Sequence, residues 1–332
     1  MGTEVLCLGE SMALFVPAEP GAIEQVRTWT RTVGGAESNV ACHLAALGRR
    51  TSWVSAVGDD AFGRAVVAEI AAAGVDVSQV EVDPHRPTGL YVKESNAAGS
   101  AVRYYRAGSA ASAMGPELLN ELQLDGVRIV HVSGITAALS DSCLELLRAL
   151  AAAPRKTHRL SFDVNWRAAL WAGRDPSVLR ELADAADIVL VGDDEADQVW
   201  GESAPHAIRE LLPRPESLVV KHGERGATLI ERDRDTAIDR PAIFEPALQV
   251  DVVEPVGAGD AFAAGFLAAT LAGDEPQRRL RAGHLRAAGA LRTHGDLGDP
   301  LPAGLVAKLL DADERTWAQT RITRNEGPRM GS

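Results

Sequence analysis

Glu254-Pro255-Val256-Gly257-Ala258-Gly259-Asp260-Ala261-Phe262 is the stretch that decides the fold of this chain. An extended, proline-containing segment meets a turn of small residues. A helix then starts, with Ala261, Phe262, Ala264, Gly265, Phe266 and Leu267 as its packing residues. Small residues let a ligand approach the backbone closely. The N–H groups of Gly257, Ala258 and Gly259 stand at a helix N-terminus, where the dipole favours an anion, and Asp260 sits beside them. Anion donors next to one carboxylate suit phosphoryl transfer to a hydroxyl. The donors stabilise charge on the moving group and the carboxylate accepts the hydroxyl proton. A plain helix start with a solvated Asp has the same short pattern, so the motif has to be read with its surroundings.

Those surroundings are α/β. Val5-Leu6-Cys7-Leu8 before Gly9 reads as a short buried strand, and further strands are predicted at 51–57, 128–132, 159–164, 187–191 and 217–221. Helical segments lie between most of them, for example 37–48, ended at Gly48, and the run after Gly58-Asp59-Asp60 to about Ala73, with Gly74 as C-cap. Such alternation implies a mainly parallel sheet covered by helices, with ligands at the carboxyl ends of the strands. Residues 12–30 and 86–108 break it with short strand-like runs. Leu90–Lys93 and Val102–Tyr105, around Asn96-Ala97-Ala98-Gly99, read as a hairpin, and the two segments together as a small β lid. Residues 1–320 are thus expected to form one domain with a discontinuous lid, and 321–332 a flexible polar tail.

Composition narrows the function classes. The chain has 332 residues, 46% of them hydrophobic, and a formal net charge of -12. That suits one sizeable core and argues against nucleic acid or an anionic membrane as the main partner. Cys7, Cys42 and Cys143 are far apart and odd in number, which fits buried thiols better than a disulfide framework or a zinc site. With neither a signal-peptide pattern nor an apolar run of transmembrane length, a cytoplasmic location is expected. There is no GxxxxGK[ST] and no protein-kinase motif set, so any phosphate chemistry rests on other loops.

A second glycine turn feeding a helix is Gly34-Gly35-Ala36-Glu37-Ser38-Asn39-Val40-Ala41; alone it reads as a tight turn with a capping Ser or Asn. Together, GGAESNVA and PVGAGDAFAAGF resemble the two signatures of the ribokinase-like (PfkB) carbohydrate kinases, in the right order and separation, with Val57–Gly63 in support. The resemblance covers about residues 4–310. It implies a three-layer α/β/α sandwich with a mainly parallel central sheet and a β lid, ATP as phosphoryl donor and Mg²⁺ with the nucleotide. It makes Asp260 the base and Gly257-Ala258-Gly259 the anion hole. Val219–Ala227 reads as strand, turn, strand and resembles the nucleotide-side turn, with Lys221, Gly223 and Gly226, besides Gly257 and Gly259, toward ATP. Two departures are plain. Glu254 stands where many members have Asp, and Gly192 where an Asn-x-x-Glu motif has its Asn, leaving Glu195 as an indirect metal contact.

The acceptor is read from the lid and one loop. Arg103, Tyr104, Tyr105 and Arg106 precede Ala107–Ser112, and Asp163–Trp171 carries Arg167. Arginine forks match carboxylates, so arginines from separate loops point to an acidic acceptor, unless they are a solvated hairpin face and a surface ion pair. YYRAGSAAS with DVNWRAALW resembles the 2-keto-3-deoxygluconate kinases of the family. That resemblance sets Arg106 and Arg167 on the sugar-acid carboxylate, Tyr91 and Tyr105, and after them Tyr104, along the pocket, Gly34 and Gly35 on the acceptor chain, and Ile135 and Asp296 as further contacts. Ala13-Leu14-Phe15 stands where neutral-sugar members keep an early Asp; its absence would spare the substrate a nearby carboxylate. A fructokinase-like enzyme of a neutral ketose, and a weakly catalytic metabolite-binding protein, are the alternatives. The lid is expected to gain order from ligand or from a partner lid, giving a homo-oligomer.

Overall fold

The computed structural model describes residues 2–19, 21–96, 99–154, 157–233, 235–293 and 297–323. The strands are β1 Val5–Leu8, β2 Met12–Pro17, β3 Trp29–Gly34, β4 Thr51–Gly58, β5 Val80–Asp83, β6 Leu90–Asn96, β7 Gly99–Tyr105, β8 Ile129–Ser133, β9 Arg159–Asp163, β10 Ile188–Gly192, β11 Ser217–Lys221, β12 Gly226–Glu231, β13 Ile243–Pro246, β14 Gln249–Val250 and β15 Arg321–Ile322. Nine form one sheet in the order β13-β12-β11-β10-β9-β8-β1-β4-β5. It is parallel from β11 to β5, with β12 and β13 antiparallel at one edge.

Continuous apolar runs make this sheet possible. Every residue of β1, β8 and β10 is buried, as a strand covered on both faces requires. Alternate side chains feed two cores. Leu6, Val130, Phe162, Val189 and Val220 pack with Leu146, Leu147, Leu179 and Leu182 of helices Asp141–Ala152 and Ser177–Ala185. Val5, Cys7, Trp53, Ile129 and Leu190 pack with Val40, Val66, Ile70, Phe262 and Phe266 of helices Ala36–Ala46, Ala61–Ala72 and Ala258–Ala272. The result is the three-layer α/β/α sandwich expected from the chain.

The lid is a separate sheet in the order β3-β2-β6-β7. The predicted hairpin is there, but it is not a free ribbon: β6 also pairs in parallel with β2. The first lid segment runs on to Gly34 rather than ending near residue 30. Phe15 meets Phe62 edge-on at 5.6 Å, and Thr32 donates to Glu69 at 3.2 Å, tying the sheet to helix Ala61–Ala72.

The flexible tail expected from residue 321 is corrected for its first two residues, which form a strand. Arg321 and Ile322 pair with Gln249 and Val250. Ile322 joins Leu248, Leu285, Leu309 and Trp317 in a third core, and the indole N–H of Trp317 donates to Pro246 O at 2.8 Å. One buried apolar side chain in a polar stretch suffices to dock it. Residues 324–332 of that tail lie outside the described residues. The three cysteines are free and buried, as read from the sequence.

Candidate active site

The site lies where the strands of the main sheet end. Gly257 takes the left-handed conformation (φ 81°) and caps helix Ala258–Ala272, so the helix starts inside the predicted motif. Asp260 falls in its first turn. There the amide of Asn39, from helix Ala36–Ala46, donates to Asp260 Oδ2 at 2.9 Å across 221 residues of sequence. The two glycine motifs thus meet at one carboxylate. Among the described residues, Ala258 N–H makes a long 3.4 Å bond to Pro255 O, which leaves it able to turn to an anion.

Glu37 fixes the partner helix. Its carboxyl is fully buried and sits where a side chain at Gly9 would be. Its Oε1 accepts from Ser133 N, Ser133 Oγ and Thr136 Oγ1 at 3.1, 2.7 and 2.7 Å. Burial raises this carboxyl above its ordinary value, against the lowering hydrogen bonds from Ser133 and Thr136. Gly34 is buried at the end of β3 and Gly35 leads into the helix; a Cβ on Gly35 would meet Glu10 O at 2.4 Å. Ile135 is half-buried, and its N–H donates to Ser133 Oγ.

A cavity of about 860 Å³ opens beside the motif. Lys221, Gly223, Gly226, Ala258 and Gly259 line it, with Asp194, Glu195, His284 and Arg321. Four of the five residues expected toward ATP therefore line one cavity, the fifth, Gly257, being the cap of the adjoining helix. Gly223 and Gly226 have φ of 60° and 140°, conformations that L side chains rarely adopt. Lys221 Nζ binds both oxygens of Asp163 at 3.1 Å and points at Gly259. Burial lowers its pKa, but Asp163, Glu195 and Asp260 outweigh that and hold it raised, so the ammonium stays charged.

The metal reading of Glu195 meets a constraint. Its oxygens accept from Trp166 N at 3.1 Å and Gly192 N at 2.7 Å, bracing two loops. Burial raises its carboxyl, with Lys221 opposing. Asp194, exposed and lining the same cavity, is the freer carboxylate. As oxygen donors on the same cavity, Asp194 and Glu195 are the carboxylates that would hold a Mg²⁺ brought by a nucleotide.

The lid residues sort by strand alternation. Tyr91 is buried and stacks on Tyr104, its cross-strand neighbour, with centroids 5.5 Å apart. Arg106 lies over the Tyr104 ring. Tyr105 points to the other face and is 57% exposed. Tyr104, not Tyr105, is the residue the structure brings together with Tyr91 and Arg106; counting back by two from Arg106 gives the same answer.

Arg106 is not waiting for a ligand alone. It ion-pairs with Glu10, whose side chain is fully buried and also accepts from Ser109 Oγ at 2.5 Å. A carboxylate does stand beside Arg106: Glu10, two residues past the end of β1. Arg167 is half-exposed, donates to Trp166 O at 2.8 Å and lies 3.8 Å from Glu195. Asp296 lies outside the described residues. The sequence reading missed Asn39 as a site residue, Glu10 and Lys93. Lys93 is a buried lid lysine bonded to Glu254 at 2.5 Å.

The profile of the pfkB family carbohydrate kinases matches residues 2–303. The 2-dehydro-3-deoxygluconokinase of Thermoproteus tenax is 34% identical over 316 residues, 92% of this chain and 93% of that protein. That of Bacillus subtilis is 34% identical over 330 residues, 97% and 99% of the two chains. The crystal structure of a PfkB protein from Polaromonas sp. JS666 superposes with a TM-score of 0.79 at 31% identity, covering 94% of this chain and all of that one. With two glycine motifs joined at Asp260 beside a nucleotide-sized cavity, this chain belongs to the pfkB family of carbohydrate kinases and is an ATP-dependent sugar kinase.

Proposed function

We propose that the protein phosphorylates the terminal hydroxyl of a sugar acid, 2-keto-3-deoxygluconate, to its 6-phosphate, with Asp260 as general base. The observation that carries the catalytic part is the Asn39–Asp260 bond at the start of helix Ala258–Ala272. An amide held on one oxygen fixes the carboxylate's direction and keeps it an acceptor. Asp260 then takes the proton of the attacking hydroxyl. The first-turn N–H groups of Gly257, Ala258 and Gly259, with Lys221 behind them, stabilise the charge on the phosphoryl group in flight. Gly223 and Gly226 make room for ATP. Mg²⁺, when bound, neutralises charge on the phosphates.

Identity to two 2-dehydro-3-deoxygluconokinases over nearly the whole chain supports the sugar-acid acceptor. In this reading Arg167 and Arg106 receive the carboxylate, Tyr91 and Tyr104 wall the pocket, and Gly34, Gly35 and Ile135 touch the acceptor chain. Tyr105, on the other face of the lid, is left out of it; Asp296 lies outside the described residues and stays a proposed contact. One observation favours a second acceptor class: Glu10 already balances Arg106, which suits a neutral ketose. Turnover with ATP and Mg²⁺ across 2-keto-3-deoxy sugar acids and neutral ketoses decides between them. A higher kcat/KM for ketoses sinks the sugar-acid reading and leaves the kinase. The protein works in the cytoplasm in this scheme, consistent with no helix among the described residues being long and apolar enough to cross a membrane.

A further inference from the structure

A second cavity, of about 480 Å³, takes no part in the phosphoryl-transfer chemistry. Helices Ala36–Ala46, Ala258–Ala272, Pro276–Ala290 and Ala303–Leu310 surround it. It is distinct from the catalytic cavity. On helix Pro276–Ala290, His284, Ala287 and Ala288 line the catalytic one, whereas Ala282, Leu285, Arg286 and Gly289 line the second, on the far side of the helix. Its wall is mostly apolar, with Ala268, Ala269, Leu285, Leu301, Val306 and Leu310. An apolar cleft of this size with a few placed polar groups has the usual form of a small-molecule site.

The charged groups on that wall are Arg49, Asp274, Arg278 and Arg286. Arg49 donates to Ala268 O at 2.8 Å and lies 3.9 Å from Glu4. Arg278 pairs with Asp274 at 3.6 Å and with Asp311. Arg286 differs. Its Nε donates to His43 Nδ1 at 2.8 Å. Arginine can only donate, so that ring nitrogen accepts and the imidazole is neutral. Among the described residues Arg286 has no carboxylate partner, and Nη1 and Nη2 make no hydrogen bond. Burial lowers its pKa and no neighbouring carboxylate opposes that, yet a guanidinium stays charged. We propose that this cavity binds a small organic carboxylate with an apolar body, the carboxylate on the fork of Arg286 and the body along Leu285, Leu301 and Val306. Charge and shape select that class. A sugar or its phosphate would set unpaired hydroxyls against an apolar wall. An uncharged apolar molecule would dehydrate the guanidinium and give it no partner. The proposal stands apart from the kinase reading, which uses none of these side chains.

The test is calorimetry on the full chain with octanoate, octan-1-ol and acetate, ADP and Mg²⁺ being saturating so that the catalytic cavity is filled. Octanoate is expected to bind one to one, roughly 10- to 100-fold tighter than octan-1-ol, the factor that a hydrogen bond to a charged group brings. Acetate, which has the charge without the body, should bind more weakly than either. Arg286→Met keeps the length of the side chain and strands no carboxylate. It should cost octanoate the same factor and leave octan-1-ol unchanged, and Arg286→Lys should recover part of the loss. Ala307 is exposed on the cavity rim. Ala307→Trp fills the cavity and should weaken octanoate and octan-1-ol alike, so the location is tested even if Arg286→Met folds poorly. Octan-1-ol binding as tightly as octanoate overturns the proposal, as does octanoate binding unchanged in Arg286→Met or Ala307→Trp. No octanoate binding overturns it too, and an oligomer mass altered by Ala307→Trp would then give this face to a second copy of the chain.

Discussion

Asp260, Asn39, Glu10 and Arg106 show how far single side chains carry the site. Asp260→Asn keeps shape but cannot take a proton, so kcat is expected to fall by about 10²–10⁴, the usual contribution of a general base. ATP binding, read by calorimetry, should be retained; near wild-type kcat would remove Asp260 from that role. Asn39→Ala deletes a hydrogen bond to a charged group, worth about 1.5–3 kcal/mol. Its kcat should drop by one to two orders of magnitude with KM for ATP little changed, and a kcat within twofold of wild type would make that bond incidental. Arg106→Ala strands Glu10 in a site with no exposure, a loss of about 3–5 kcal/mol in stability. Glu10→Gln/Arg106→Met should recover most of it. If Arg106→Ala alone unfolded no more readily than wild type, the pair would be solvated and the arginine free for a substrate carboxylate.

Elements set where the sequence was legible. The central strands announced themselves because burial on both faces demands unbroken apolar runs, as in Ile188–Gly192. The glycine motifs did so because a left-handed cap such as Gly257 tolerates few alternatives. What stayed hidden were pairings that no local pattern encodes: Asn39 with Asp260, Glu10 with Arg106, Lys93 with Glu254. Tyr104 was within reach by alternation, though the sequence reading ranked it behind Tyr105. The C-terminal strand was hidden by its polar composition, since Thr320 and Ile322 alone bury it. β15 also brings Arg321 to the cavity wall. Ending the chain at Gln319 should therefore raise KM for ATP severalfold and cost about 1.5–3 kcal/mol for unburying Ile322. An unchanged Tm and KM would mean that the strand is decoration. The lid leaves β3 and β7 as open edges. Its outer face shows Tyr105 and, on the main sheet's edge strand β5, Val82 is 56% exposed. Pairing with a second lid would cover such edges, so light scattering is expected to give a dimer mass, and a monomer at every working concentration would discard that expectation.

At the scale of the whole molecule, buried ionisable groups on both sides of the sheet tie stability to pH. His131 lies in β8 against Ser161, and His284 packs edge-on against Phe262; burial pushes both down to about 4. Inside the protein they are neutral, whereas the unfolded chain takes up protons from about 6.5 downward. The unfolded state binds more protons between those values, so stability falls as pH drops from about 6.5 to about 4. The shift corresponds to on the order of 3 kcal/mol for each histidine. Glu37 and Glu195 act with the opposite sign. Burial raises both carboxyls, so their contribution is complete below the usual carboxylate value and is lost as pH rises through the raised one. They therefore act against the histidines over the acid limb. Thermal melts from pH 7.5 to 4.5 should show Tm falling steadily below about pH 6.5. His131→Asn and His284→Gln are expected to melt lower at pH 7.5 yet with a shallower slope toward acid, because the proton uptake on unfolding has been removed. A slope equal to wild type in both variants would place the acid sensitivity on the surface ion pairs instead, and those would respond to salt where the buried histidines would not.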